Sequence, residues 1–182
     1  MKLTVEELLK MNLKGKTILF QTEKGSVLGC LLNDELAIEK LYAITRHMKT
    51  IPFPVLTGTI EDAYALVRYP KHLRPYALFY WPGPVTLVTK KKSFVQDFVS
   101  RGHSQVGIWV SKSPIAKTIA NHFGPLVVAT RHSFHKEKSS AIKDMNVFES
   151  SVDYCVNGEN VLPESSFVFD VDNNAEVSKY FH

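Results

Sequence analysis

The stretch of sequence that decides the fold is WPGPVTLV, residues 81–88. Two prolines around Gly83 restrict the backbone to a tight turn. The segment after the turn, PVTLVTK, alternates apolar and polar residues and predicts a half-buried β-strand. Taken alone, the string is typical of a structural corner with a buried tryptophan. Its significance therefore depends on the segments on either side of it.

Strands and helices alternate before this turn. The apolar runs KTILFQT and GSVLGCLL, residues 16–22 and 25–32, predict two strands, and FPVLTG at residues 53–58 predicts a third. Helices are indicated by polar caps or by apolar residues at helical spacing. We predict them from Thr4 through about Met11, from Asn33 and Asp34 through Ile44, from Thr59 to before Pro70, and from Leu73 to Tyr80.

The same alternation continues after the turn. Phe94, Phe98 and Val99 predict a helix closed by Gly102, and a second helix starts at Pro114, where the missing N–H is not needed. Further predictions are the strands QVGIWVS, PLVVAT, VDYCV and SFVFDV, a helix near 140–149, and a polar loop over 131–144. This order favours an α/β fold with a mixed, twisted sheet and helices on its faces.

Composition narrows the class of protein. The chain has 182 residues, 45% of them hydrophobic, and a net charge of +4, which fits one domain over residues 1–182. Cys30 and Cys155 lie far apart, so we expect reduced packing residues. The N-terminus lacks the apolar run of a signal peptide, and no stretch is long enough to span a membrane. We therefore expect a cytoplasmic protein without membrane contact.

Common cofactor signatures are missing from the sequence. It contains no GxGxxG, no GxxxxGK[ST] loop and no GxSxG elbow, which argues against ordinary dinucleotide, P-loop or hydrolase sites. His132 and His135 are three positions apart, but they fall in the predicted loop without a neighbouring cysteine or acidic partner. No metal site is predicted from them.

The order of motifs resembles the YrdC-like family of threonylcarbamoyl-adenylate synthases. The segments QTEKGSVLGC, LYAITRHMKTIPF, WPGPVTLV and VGIWVSKSPIAKTIANHFGPLVVATRHS follow the family order with similar spacing. The resemblance is strongest over residues 15–170. It implies a twisted α/β domain with a central, positively charged cavity. The scaffold positions that match are Leu28, Gly29, Cys30, Pro52, Trp81, Pro82, Gly83, Pro84 and Thr86.

The resemblance also implies a nucleotidyltransferase reaction. L-threonine, bicarbonate and ATP condense to L-threonylcarbamoyl-adenylate, with Mg²⁺ accompanying ATP and pyrophosphate released. A partner transferase complex then moves the threonylcarbamoyl group onto certain tRNAs. Attack of a carbamate oxygen on the α-phosphate brings anions together, so cations and backbone N–H groups are needed.

Several polar positions depart from the family pattern. Lys24 stands where the family has its second threonine, Ser26 replaces a tyrosine, Thr45 and His47 replace the lysine and arginine of KxR, and Trp109 replaces an arginine. Three expected cations, at 45, 47 and 109, are therefore lost or weakened. Arg46 does not simply replace a lost cation, because neighbouring side chains of an extended segment point to opposite faces. A well-placed arginine on a transferring phosphoryl group contributes roughly 10³–10⁵ in rate.

The candidate site follows from these correspondences. We predict that Thr22 and Lys24 flank the threonine and that Thr45, Arg46 and His47 line the phosphate side, with Lys24 and these three as the catalytic candidates. Positions predicted to contact the nucleotide or threonine are Pro52, Trp109, Thr130, His132 and Ser166.

A basic stripe adds a second candidate surface. Lys90, Lys91 and Lys92, with Lys71, Arg74 and Arg101, are either an RNA-facing surface for tRNA or another structured RNA, or an ordinary solvated face. For the whole chain, the alternative to catalysis is a non-catalytic module that binds nucleotide or RNA in the retained cavity. A changed reaction on a related acyl or carbamoyl phosphate is the third interpretation.

Overall fold

The computed structural model describes residues 1–130, 145–158 and 163–176. Within these residues the helices are α1 Val5–Leu8, α2 Glu35–Thr45, α3 Ile60–Leu66, α4 Pro70–Tyr80, α5 Asp97–Ser100 and α6 Pro114–Phe123, with a 3-10 helix at Met145–Ser151. The strands are β1 Lys2–Leu3, β2 Ile18–Thr22, β3 Gly25–Leu31, β4 Val55–Thr57, β5 Thr86–Lys90, β6 Gln105–Val110, β7 Leu126–Ala129, β8 Tyr154–Val156, β9 Val168–Asp170 and β10 Ala175–Glu176.

These strands form one mixed sheet in the order β1-β8-β2-β3-β7-β4-β6-β5-β9-β10. The pairs β2–β3, β3–β7, β4–β7, β5–β6 and β9–β10 are antiparallel, while β1–β8, β2–β8, β4–β6 and β5–β9 are parallel. The predicted α/β class with a mixed sheet is confirmed. The two-residue strands β1 and β10 have no counterpart in the sequence prediction, because they are too short for a recognisable period.

Polar caps start α1, α2 and α3 where the sequence predicts them, whereas α4 begins at Pro70 rather than at Leu73 and has no side-chain cap. Thr4 and Glu7 form the capping box of α1, although this helix ends at Leu8 rather than near Met11. The side chains of Asp34, Thr59 and Ser113 each accept a hydrogen bond from a backbone N–H three residues later. Each cap pairs an N–H that has no partner within its helix, which stabilises that end.

The sheet is packed on both faces. One core contains residues of α2, α3 and α4 against one side of the strands, including Leu41, Leu73 and Ile108. The other core lies beneath α1 and α6 and contains Trp109 and Ile119. Since consecutive residues of a strand point to opposite faces, Ile108 and Trp109 contribute to different cores.

The WPGP turn is held by its own contacts. The buried Trp81 donates its indole N–H to the Val85 carbonyl at 2.8 Å, and the Gly83 N–H donates to Val110 at 3.0 Å. A Cβ at Gly83 would lie 2.7 Å from the Tyr80 carbonyl oxygen, so a larger residue would displace the turn. The predicted structural corner with a buried tryptophan is confirmed, and it leads directly into β5.

Two predictions around β5 are wrong. This strand is buried on both faces rather than half-buried: Leu87 packs with the helices, and Thr86 and Val88, which point to the opposite face, are also buried. Periodicity identifies the two faces of a strand, but burial of the second face depends on segments that are distant in sequence. The helix expected from Phe94 is only the single turn α5, and Phe94 lies outside it with 54% of its surface exposed.

The remaining expectations concern single features. Cys30 and Cys155 are both free and buried, as predicted. Within the described residues, the helix expected near 140–149 is a 3-10 helix. The polar stretch 131–144 lies outside the described residues. None of the helices in the described ranges combines the length and apolar character required to cross a bilayer.

Candidate functional site

A small cavity lies where the β2–β3 hairpin meets the starts of β5 and β9 and the end of β7. Its volume is about 50 Å³, and it is lined by Lys24, Pro54, Thr86, Thr130, Ser166, Phe167 and Val168. A smaller space beside it shares Pro54, Thr86 and Val168 and also contacts Pro52, Phe53 and Gly107. A Cβ at Gly107 would lie 3.1 Å from the Thr86 methyl carbon, so glycine keeps this end open.

Among the described residues that line this cavity, Lys24 carries the cationic group. Its Nζ donates a hydrogen bond to Thr86 Oγ1 at 3.0 Å and lies 4.1 Å from the centroid of the Trp109 ring. The residue is only 9% exposed. Burial lowers the Lys24 pKa to about 7, and attraction to Glu23 opposes this shift. Near neutral pH the amine therefore changes charge readily, and an anion in the cavity would favour the protonated form.

The hairpin turn fixes where Lys24 points. The buried Thr22 hydroxyl donates to the Gly25 carbonyl at 2.7 Å and accepts from the Lys24 N–H at 3.1 Å. Gly25 has φ +86°, a backbone region that favours glycine. The Thr22 side chain therefore holds the turn, whereas the sequence predicts it beside the substrate.

The segment 45–47 is placed differently from the prediction. Thr45 is buried, and its hydroxyl donates to the Leu41 carbonyl at 2.8 Å within α2. Arg46 ends that helix with φ 51° and is exposed. His47 stacks on Phe53 at 4.7 Å, behind the wall of the smaller space. None of the described residues that line the cavity around Lys24 comes from this segment.

Trp109 does not reach the cavity as a ligand-binding side chain. It is fully buried in the core beneath α6, and its ring supports the Lys24 ammonium. Thr130 and Ser166 do line the cavity with Lys24, and Pro52 lines the smaller space. His132 falls outside the described residues. The cavity therefore brings together part of the predicted set: Lys24, Thr130 and Ser166.

Two residues of the site were missed by sequence reasoning. Thr86 was assigned to the scaffold, yet its hydroxyl is the partner of Lys24. Glu23 is 4% exposed and accepts hydrogen bonds from the Trp109 indole N–H at 3.0 Å, from the Ser111 hydroxyl, and from the Lys112 N–H at 3.3 Å. The available signal was a pair of consecutive charges at the turn between two apolar strands.

The basic residues form a separate surface groove. It has a volume of about 670 Å³ and is lined by Arg68, Lys90, Lys91, Lys92, Ser93, Phe94 and Ser104. The Lys91 side chain is fixed by two contacts, because its ammonium donates to the Val95 carbonyl at 2.6 Å and to the Asp97 carboxylate at 3.0 Å. The predicted stripe is corrected at Lys71, Arg74 and Arg101, which do not line this groove. Arg101 instead pairs with Glu39 at 2.7 Å and stacks 3.9 Å above Tyr42.

Comparison with known proteins identifies relatives over most of the chain. A model of the Sua5/YciO/YrdC family, described as telomere recombination, matches residues 10–179. The threonylcarbamoyl-AMP synthase of Methylococcus capsulatus is 27% identical over 119 residues, which are 64% of this chain and 63% of that protein. The match thus spans less than two thirds of that relative's length.

Solved structures show the same fold. Sua5 of P. abyssi, in complex with L-threonine, matches with a TM-score of 0.76 and 21% identity over 91% of this chain and 50% of that one. E. coli YciO matches with a TM-score of 0.71 and 18% identity over 98% and 92% of the two chains. With the family model covering residues 10–179, this chain belongs to the Sua5/YciO/YrdC family.

Proposed function

We propose that this chain synthesises L-threonylcarbamoyl-adenylate from L-threonine, bicarbonate and ATP for the modification of tRNA. One observation carries the proposal: the Lys24 amine shares a cavity with the side chains of Thr86, Thr130 and Ser166. An ammonium group surrounded by hydroxyls is suited to a carboxylate, because all of these groups can donate hydrogen bonds to it. Relatives named threonylcarbamoyl-AMP synthase, and Sua5 with its bound L-threonine, support the same assignment.

We propose that the cavity holds one part of the substrate, the carboxylate of threonine. Its described lining combines one ammonium group with the hydroxyl-bearing residues Thr86, Thr130 and Ser166, which suits a small anionic group. We therefore place the threonine carboxylate on Lys24, with the amine directed outward. The amine and bicarbonate form a carbamate with loss of water, and a carbamate oxygen then attacks the α-phosphorus of ATP as pyrophosphate leaves.

Mg²⁺ is proposed to enter with ATP. Within the described residues, no group of three or more His, Cys, Asp or Glu side chains is placed to hold a metal ion. The main cavity also has no carboxylate among its described lining residues. Mg²⁺ commonly keeps several waters and binds through substrate phosphates. The ion would neutralise phosphate charge, while Lys24 binds and orients the amino acid.

The test is pyrophosphate release with ATP, L-threonine and bicarbonate, with each component omitted in turn. We expect release to require all three. Lys24→Met should raise the KM for threonine by at least about tenfold, equivalent to 1.4 kcal/mol. Lys112→Met is the matched control, because this lysine is exposed and pairs with Glu164 at 2.6 Å outside the cavity.

Two results would overturn the proposal. One is pyrophosphate release that does not depend on threonine and bicarbonate. The other is a Lys24→Met variant with the same KM as the wild type. ATP or threonine binding by calorimetry without any turnover would instead favour the non-catalytic binding module.

A further inference from the structure

Trp109 lies between two opposite charges that come from consecutive residues. Its indole N–H donates to Glu23 Oε1 at 3.0 Å, and the Lys24 ammonium lies 4.1 Å from the ring centroid. The carboxylate therefore meets the positive edge of the indole, and the ammonium meets its negative face. Both contacts agree with the charge distribution of an aromatic ring.

Glu23 is held firmly in this position. The Ser111 hydroxyl and the Lys112 N–H also donate to its carboxylate, and the Glu23 carbonyl accepts from the Glu164 N–H at 2.9 Å. Three donors around one carboxylate leave it little freedom to turn. A buried carboxylate fixed in this way acts as a stationary negative charge beside the cavity.

We propose that Glu23 is a positioning residue that acts through Trp109 to keep the Lys24 ammonium charged and directed at the cavity. A hydrogen bond from the indole N–H to a carboxylate draws electron density onto the ring, which strengthens the attraction of its face for a cation. The negative charge also attracts the ammonium directly across a poorly solvated site.

The other charged groups around the hairpin have smaller effects. On the segment after β6, Lys112 is exposed and pairs with Glu164 of the segment before β9 at 2.6 Å, so these two charges offset each other. β5 and β6 contribute Thr86 and Trp109, neither of which ionises near neutral pH. Among the described residues, Glu23 is the group whose attraction raises the Lys24 pKa against the effect of burial.

Titration of Lys24 by NMR on lysine-labelled protein tests the inference without any ligand, with Lys24→Met used to assign the signal. We expect Glu23→Gln to lower the Lys24 pKa by about one unit, and Glu23→Asp to restore part of the loss. Trp109→Phe keeps an aromatic face but removes the N–H, and it should lower the pKa by a smaller amount. An unchanged Lys24 pKa in folded Glu23→Gln overturns the proposal. If that variant does not fold, an unchanged pKa in Trp109→Phe overturns it equally.

A second arm uses L-threonine and rests on the proposed function. At pH 8 a pKa lowered by one unit reduces the protonated fraction of Lys24 about tenfold, so Glu23→Gln should bind threonine about tenfold more weakly than wild type. At pH 5 both proteins are protonated, and their affinities should converge. Equal weakening at both pH values would indicate a merely structural role and would contradict the proposal. If no variant binds threonine, the proposed function fails while the NMR result still decides the role of Glu23.

Discussion

The Lys24 ammonium donates a hydrogen bond to the Thr86 hydroxyl at 3.0 Å, joining residues that are 62 positions apart in the chain. This contact connects the β2–β3 hairpin to the strand that follows the WPGP turn. It also encloses an amine in a site with little solvent, where burial lowers the Lys24 pKa to about 7 from the ordinary 10.5. The charge of the cavity and the stability of the fold are therefore linked.

We predict that Lys24→Met changes how stability depends on pH. Between about pH 7 and 10.5 the unfolded chain keeps a proton that native Lys24 has released. The free energy of unfolding of the wild type should therefore rise with pH in this window, by up to about 1.4 kcal/mol per pH unit from this group. Lys24→Met should lack that contribution. Urea unfolding from pH 6.5 to 9.5 measures the difference.

Lys112→Met is the matched control for this experiment, because pairing with Glu164 raises the pKa of Lys112 above the ordinary 10.5, so this lysine stays protonated in both the folded and the unfolded chain from pH 6.5 to 9.5. It should retain the pH dependence of the wild type. Parallel curves for wild type and Lys24→Met would mean that Lys24 is solvated in the native state, contrary to its 9% exposure.

We predict that Trp109→Arg destabilises the fold and does not restore activity. The change removes a fully buried indole and brings a second cation next to the Lys24 ammonium. Pairing with Glu23 offsets only part of the loss, so we expect a cost of about 3–5 kcal/mol, the range for losing a buried aromatic side chain. Chemical denaturation measures it, with Trp109→Phe as the milder comparison.

The double variant Lys24→Thr, Trp109→Arg tests whether one cation has moved between these two positions. The family resemblance implies threonine at 24 and arginine at 109, where this chain has lysine and tryptophan. Removing the like-charge contact should make the double variant more stable than Trp109→Arg alone. A double-mutant cycle would then give a coupling above about 0.5 kcal/mol. If the stability changes of the two single variants simply add in the double variant, the two positions do not exchange the charge.

If the basic groove binds RNA, we predict that the affinity depends on Arg68, Lys90 and Lys92. These side chains flank the exposed Phe94, an arrangement that suits phosphates beside a stacked base. Replacing all three by alanine should reduce the slope of log affinity against log salt by about 0.7–0.9 for each lost phosphate contact. Filter binding of tRNA across a salt series measures the slope.

Two variants make this test specific. Lys71→Ala, Arg74→Ala removes two exposed cations of α4 that do not line the groove, and it should leave the slope unchanged. Lys91→Ala should lower thermal stability instead, because it removes the contacts to Val95 and Asp97. If the wild type and the groove variant show the same slope of log affinity against log salt, these lysines belong to an ordinary solvated surface.

Local features of the fold followed from the sequence because their causes are local. The caps at Thr4, Asp34 and Thr59 act within a few residues, and in the WPGP turn the Trp81 indole N–H donates to Val85, four residues later. Apolar runs such as ILFQT and GSVLGCL were correctly predicted as strands for the same reason. The order of these motifs along the chain then carried the family resemblance.

The candidate site was predicted only in part, because its contacts join distant segments. Lys24, Thr130 and Ser166 do share a cavity, but Thr45 forms a hydrogen bond within its own helix, and Trp109 belongs to the core. The basic stripe fails in the same way at Arg101, which pairs with Glu39 of α2. Neighbours in sequence indicate what charge a segment carries, but they do not indicate which partner neutralises it.

The sequence by itself determined the types of the longer elements, the capped starts of α1, α2 and α3 and the position of the tight turn, since backbone preferences and periodicity operate over a few residues. Only the tertiary structure decided the electrostatics of the cavity. It places Glu23 and Lys24 on either side of Trp109, a residue that lies 85 or more positions after them in the chain. Burial then sets the Lys24 pKa, and burial is a property of the packed sheet rather than of the hairpin alone.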